Sequence, residues 1–244
     1  MNNAMLIFKM KLFELLRQPS YVVGTMVFPS LFFLFFAQPN AKTPQAANLL
    51  MGSFAAYAFL GIIFFQFGVD LANEKSRPWF RYQKSLPISE GSIFFGRILA
   101  ALVFAFLTEV LLIIVINIST EVDISFLSYL RLSLYLCAAS LPFAFLAISI
   151  GKLCTAKSAL PISNMIYLSL SFLGGLWIPP NALPESIQRI SEWMPTRYFV
   201  ETAWHFSVGF DFQWKSLIGL LAWGILFLFL SLIASKISGR KIRL

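Results

Sequence analysis

The chain has 244 residues, 58% hydrophobic and only 12% charged, with a net charge of +8. A soluble domain carries about 25% charged residues, so this chain lacks the polar surface to cover a water-exposed globule. The composition fits one integral membrane domain over residues 1–244, and the basic excess then belongs to loops facing cytosol and anionic lipid rather than nucleic acid. Cys137 and Cys154 lie far apart in apolar context, and His205 is the single histidine, so neither a disulfide nor a metal site is expected.

The stretch MLIFKMKLFELLRQ comes first. On a helical wheel Phe8, Leu12, Leu15 and Leu16 share one side, and Lys11, Glu14 and Arg17 the other. The pattern predicts a helix along the inner membrane surface, with its cations near lipid headgroups. A bilayer core of about 30 Å takes roughly 20 apolar residues in a helix. Stretches near 20–37, 49–71, 98–118, 132–150, 159–178 and 216–234 meet this length. AQPNAK after the first offers no small-residue cleavage site, so that stretch is expected to be a retained span. With the N-terminus inside, fourteen of the 19 Lys and Arg residues fall on the cytosolic side. The positive-inside rule then places both termini in the cytosol of a multi-pass plasma-membrane protein.

Between the second and third stretches lies NEKSRPWFRYQKSLPIS, expected in the cytosol. Pro78 suits a helix's first turn, and Pro87 stops a helix over 79–86. Trp79, Phe80 and Tyr82 supply apolar bulk; Arg77, Arg81 and Lys84 supply charge. Two readings are open: a docking knob for a partner, or a positive-inside loop with aromatics at the interface.

Asp70 lies at the cytosolic edge of its span, whereas Glu109 sits near the middle of the third. An intramembrane carboxylate is costly. It either binds a cation, relays protons or contacts substrate, or it is a structural acid facing another helix. Ser53, Tyr57 and Gly61 in the second span, and Asn164, Tyr167 and Ser171 in the fifth, recur at helical spacing. They form either a packing face or a pathway lining. Pro142 is expected to kink the fourth span.

In GKLCTAKS the spacing is wrong for a phosphate loop and no strand precedes it, so the chain does not bind ATP by that motif. Past the fifth span, Leu183, Ile187, Ile190 and Met194 recur at helical spacing, with Glu185, Gln188, Arg189 and Glu192 facing away. This predicts a short amphipathic helix with Pro184 in its first turn and Pro195 beyond its end. A second helix, capped by Thr196, would run through Trp204. Together they read as a helical hairpin at the outer leaflet.

The chain resembles the membrane subunit of an ABC-2 type transporter of the drug- or antibiotic-exporter kind. The family pattern after the second span is E-R-x-R-G-T, eight variable positions, then P, a hydrophobic residue and S. Glu74, Lys75, Arg77, Pro87, Ile88 and Ser89 correspond when Pro78 takes the Gly position, and Pro78-Trp79 departs from Gly-Thr. The second match is GGLWIPPNALPESIQRISEWMPTRYFVE. The resemblance implies an all-α fold of six spans with an N-terminal interfacial helix. It also implies a coupling helix that docks into an ABC ATPase through Glu74, Lys75, Arg77, Trp79, Phe80 and Arg81. ATP and Mg would sit on that partner, and a second permease subunit, identical or paralogous, would complete a dimer. The expected function is efflux of an amphipathic small molecule, peptide or lipid. The alternative is a secondary transporter or ion channel using Glu109.

Overall fold

The computed structural model describes residues 3–78, 80, 82 and 87–241, and every regular element among them is helical. Helix α1 (Asn3–Leu16) precedes a broken helix α2 (19–40). In α2, Val23–Val27 and Phe33–Ala37 are π-helical and flank an α-helical turn, Phe28–Phe32. Pro29 sits between them and has no N–H to give, which breaks the regular ladder. Helix α3 (Pro44–Lys75) is α-helical to Phe64, π-helical over Phe65–Asp70, and α-helical again over Leu71–Lys75. The Thr43 hydroxyl accepts from the Ala46 N–H and starts it.

Helix α4 (Glu90–Ser119) begins at Ser89, whose side chain accepts from the Ser92 N–H. The Ser of the P-hydrophobic-S pattern is thus a helix cap. α5 (Phe126–Ala139) and α6 (Leu141–Leu153) form one interrupted rod. The break falls at Ser140, because Pro142 occupies the first turn of α6, as the sequence predicts. α7 (Ala156–Leu173) opens with a capping box between Thr155 and Ser158. Those residues of GKLCTAKS therefore cap a helix. α8 (Glu185–Ser191), α9 (Pro195–Val208) and α10 (Trp214–Lys241) complete the chain.

Among the described residues, five helices are long and apolar enough to cross a membrane: Val23–Asn40, Pro44–Lys75, Gly91–Ser119, Phe126–Leu153 and Trp214–Ser238. The remaining expected span forms α7, whose 18 residues include Lys157, Ser158, Ser163 and Asn164 and are less apolar. At 1.5 Å per residue, Pro44–Lys75 is about 48 Å long. That exceeds the hydrocarbon core, so at least one end projects beyond it.

α3 is the central rod, packed by α2, α4, α6, α7 and α9, while α10 lies outermost. Asp123, in the loop between α4 and α5, is held to α3 by reciprocal bonds with the Asn48 amide, 2.7 and 3.2 Å. The two short helices past α7 are present, but their caps differ from expectation. Met194 is the N-cap residue of α9 and Pro195 lies inside its first turn. The Thr196 hydroxyl instead donates to the Leu170 carbonyl, 2.6 Å, tying α9 to α7. α9 is also fastened to α3 by Trp204 Nε1 on Ser53 Oγ, 2.8 Å, and to α5 by Tyr135 Oη on the Phe199 carbonyl, 2.8 Å.

The α1 wheel also needs correction. Lys11 is only 6% exposed and points into the protein, while Met5, Leu6, Met10, Phe13 and Leu16 are exposed. The sequence pattern assigns Lys11 to lipid headgroups because the acids that claim it lie some sixty residues away.

Where α6 crosses the π segment of α3, Gly151 allows backbone contact. A Cβ there would collide with the Phe67 carbonyl and lie 3.0 Å from that of Gly68. Gly151→Val should therefore destabilise the fold by about 1–3 kcal/mol. Thermal unfolding in detergent reads this out; an unchanged midpoint would show that the two helices do not meet so closely.

Candidate functional site

A cleft of about 260 Å³ opens between α2, α3 and α7. Its α2 wall is Gly24, Thr25, Phe28 and Pro29; its α3 wall is Tyr57, Ala58, Gly61 and Phe65; Asn164, Tyr167 and Leu168 come from α7. Each wall contains or adjoins a helix irregularity. Gly24 and Thr25 lie in a π turn, Phe65 begins another, and Pro161 stands inside α7 one turn before Asn164. π turns and prolines re-aim side chains and loosen the backbone ladder, and they often mark working parts of helices.

The Tyr57 and Tyr167 rings stack with centroids 4.9 Å apart, and the Tyr167 hydroxyl donates to the Tyr57 carbonyl at 3.1 Å. Gly61 makes room for that hydroxyl, since a Cβ there would lie 2.8 Å from it. Of the polar faces expected from spacing, Tyr57, Gly61, Asn164 and Tyr167 meet at this cleft. Ser53 and Ser171 do not. Ser53 Oγ donates to the Leu49 carbonyl, 3.0 Å, besides accepting from Trp204; Ser171 Oγ donates to the Tyr167 carbonyl, 2.7 Å. Thr25, Phe28 and Phe65 were not anticipated; Pro29 beside Phe28 was the available signal.

At the other end of α3 a charged cluster gathers. Lys11 Nζ lies 2.6 Å from Asp70 Oδ2, 2.7 Å from Glu74 Oε1 and 3.1 Å from Glu14 Oε2. Arg97 of α4 takes the other Glu74 oxygen. Burial lowers the affinity of Lys11 for its proton, but Asp70 and Glu74 outweigh it. Its pKa therefore stands above the usual 10.5, and the group stays cationic through the physiological range. Lys75 reaches the opposite way, donating to the carbonyls of Gly151 (2.8 Å) and Lys152 (2.5 Å) at the end of α6. A cation there also complements the helix dipole. Lys152 in turn donates to Ser235 of α10 at 2.5 Å.

Glu74 and Lys75 thus bind the chain's own helices. Arg77 is 59% exposed and meets Glu14 only at 3.9 Å. The Phe80 N–H closes a turn on the Arg77 carbonyl, 3.1 Å. Trp79 and Arg81 lie outside the described residues, as does most of the helix expected over 79–86. Beside this segment a hollow of about 330 Å³ is walled by Leu6 and Met10 of α1, Ile93 and Arg97 of α4, and Glu74, Arg77, Phe80 and Ile88. The spacing of Asp70 and Glu74, one helical turn apart, was the signal for a shared cation; Lys11 and Arg97 carried none.

Glu109 is fully buried on α4, and neither carboxyl oxygen has a hydrogen-bond partner among the described residues. It lies near Ser133 of α5, whose hydroxyl is turned to the Tyr129 carbonyl at 3.0 Å.

Removing one partner from a buried charge group strands the others. Lys11→Met should therefore destabilise by about 3–5 kcal/mol. Adding Asp70→Asn should cost less than the sum of the two single changes, because the two groups contact each other. Thermal unfolding of the four proteins closes the cycle, and strict additivity would contradict a direct Lys11–Asp70 pair.

The family model described as ABC-2 type transporter matches residues 3–205. That range holds the cleft, the charged cluster and most of α9. The chain is also 26% identical over 223 residues to the Bacillus subtilis (strain 168) protein named "Putative transport permease YvfS". The alignment covers 89% of this chain and 91% of that protein. The chain is accordingly a multi-pass membrane permease belonging to the ABC-2 type transporter family.

Proposed function

We propose that this permease exports an amphipathic small molecule, peptide or lipid, driven by ATP hydrolysed with Mg on separate ABC ATPase subunits. In this reading α7 is the fifth of six spans, both termini are cytosolic, and α8 with α9 forms the outer-leaflet hairpin. Two such subunits, identical or paralogous, stand side by side. The cleft between α2, α3 and α7 belongs to the path of the compound. The segment from Arg77 through Trp79, Phe80 and Arg81 meets the ATPase, with the hollow beside it receiving side chains of that partner. Glu74 and Lys75 act from behind, fixing the direction in which this segment leaves the membrane.

The observation that carries the reading is the continuity of α3. Phe65 lines the cleft, Asp70 binds Lys11, and the π turn Phe65–Asp70 is the piece between them. A push on the cytosolic end of α3 therefore reaches the cleft wall through a single irregular turn. No chemistry on this chain is required.

A second reading, a secondary transporter or channel, draws on the unpartnered Glu109 carboxyl inside the helix bundle. The two readings differ in what drives transport. A buried aromatic anchor at an interface is worth about 2 kcal/mol or more. Phe80→Ala should therefore weaken co-purification of the ATPase, or leave hydrolysis running without transport, while Glu109→Gln keeps ATP-driven transport. The measurement is ATPase co-purification, ATP turnover and uptake into inverted vesicles for each variant. Normal assembly and transport with Phe80→Ala, together with loss in Glu109→Gln, would overturn the first reading in favour of the second.

A further inference from the structure

The cleft's lining carries no charged side chain. Most of its wall is aromatic or aliphatic, and its polar groups are few. The Thr25 hydroxyl is committed to the Tyr21 carbonyl at 2.6 Å, and the Tyr167 hydroxyl to the Tyr57 carbonyl. Asn164 differs. It is half-buried, it lines the cleft, and among the described residues its amide has no hydrogen-bond partner. The cations that could neutralise an anion, Lys11 and Arg97, are engaged at the far end of the π turn and do not line this cleft.

An ionised group placed here would lose its water and gain no counter-charge, which is strongly unfavourable. A neutral ring or chain would meet apolar walls. One donor or acceptor on it would meet the Asn164 amide, which offers both. We infer that the cleft admits the uncharged, apolar part of an amphiphile bearing one hydrogen-bonding group, and that Asn164 selects for that group. This rests on the cleft being part of the transport path. The charged end of such a compound stays outside, toward headgroups or water.

The structure also supplies a clean way to block the site. Gly24 lines the cleft, and a Cβ built on it meets nothing within 4 Å. A β-carbon at Gly24 therefore meets no neighbour, Gly24→Leu adds bulk at the cleft wall, and a leucine suits a helix better than glycine. Gly24→Ala is the graded version.

The test uses two probes with the same anilinonaphthalene skeleton. N-phenyl-1-naphthylamine is neutral with one N–H donor; 8-anilino-1-naphthalenesulfonate adds one anionic group. Binding to the permease in lipid nanodiscs is read as tryptophan-sensitised probe emission, with Trp177 packed edge-on against Tyr57 at 5.8 Å as the local donor. Empty nanodiscs give the background, and variants are compared only when they elute and melt as the wild type does. The neutral probe should bind saturably, Gly24→Ala should weaken it, and Gly24→Leu should abolish it. The sulfonate should bind this site about a hundredfold more weakly. Asn164→Leu should weaken the neutral probe about threefold to tenfold, the equivalent of one hydrogen bond.

The failures separate. Neutral binding indifferent to both Gly24→Leu and Asn164→Leu means the probe is not in the cleft, and the pathway reading falls with the inference. Binding lost in Gly24→Leu but equal for neutral and sulfonated probes leaves the pathway standing and overturns the charge selection. Unchanged affinity in Asn164→Leu overturns the role of that amide alone.

Discussion

A lysine held by two carboxylates one helical turn apart organises the charged end of this molecule. Lys11 closes on Asp70 and Glu74, and Arg97 closes on Glu74 from the other side. Three helices, α1, α3 and α4, are thereby bound through one small group of charges. One residue further, Lys75 takes the last carbonyls of α6, and Lys152 there reaches α10. Such groups are expensive to desolvate and add little net stability when whole. Their strength lies in geometry, because losing one member leaves an uncompensated charge. The short helix Leu71–Lys75 is therefore held in a fixed direction against α1, α4 and α6.

The bundle around it is less regular than a set of straight rods. In hydrocarbon, each backbone donor and acceptor must find a partner within the protein, so departures from the α-helix need support from neighbours. Here they are concentrated on the cleft walls, in α2, α3 and α7. α6 supports the π turn of α3 by direct backbone approach at Gly151. At the other end, α9 fastens α3, α5 and α7 through the Trp204, Tyr135 and Thr196 bonds. The cleft thus lies between two cross-linked ends, with the irregular turns between them.

Much of this was legible in the sequence because hydrocarbon imposes a simple rule on composition. The apolar runs gave the long helices, Pro142 gave the break at Ser140, and the period of Leu183, Ile187, Ile190 and Met194 marked α8, which is shorter than that period and leaves Leu183 and Met194 outside it. Tyr57, Gly61, Asn164 and Tyr167 were found by helical spacing, and they do share a cleft. Spacing failed where the helix is not an α-helix. The π turns shift the register, so Thr25, Phe28 and Phe65 could not be placed on that face by a wheel of 3.6 residues per turn. It failed again at Lys11, because a wheel groups residues into faces without saying which face meets protein and which meets lipid. Ser53 and Ser171 share the spacing that left packing and pathway lining open in the sequence, and neighbouring backbone and Trp204 take up their hydroxyls. α7 is the weakest apolar run for the same reason that it is useful: its polar residues serve the cleft and the helix cap.

The central claim of the proposed export mechanism is that Asp70–Lys75 carries motion between the loop proposed to meet the ATPase and the helices around the cleft. Lys75→Met tests it most directly, because it removes the bonds to the Gly151 and Lys152 carbonyls of α6 and leaves the cleft lining unchanged. The measurement is the number of probe molecules transported per ATP hydrolysed, in vesicles holding the permease with its ATPase. The account predicts normal assembly, continued hydrolysis and a transport yield per ATP reduced about tenfold, the loss of roughly 1.4 kcal/mol of coupling. A wild-type yield per ATP would contradict it.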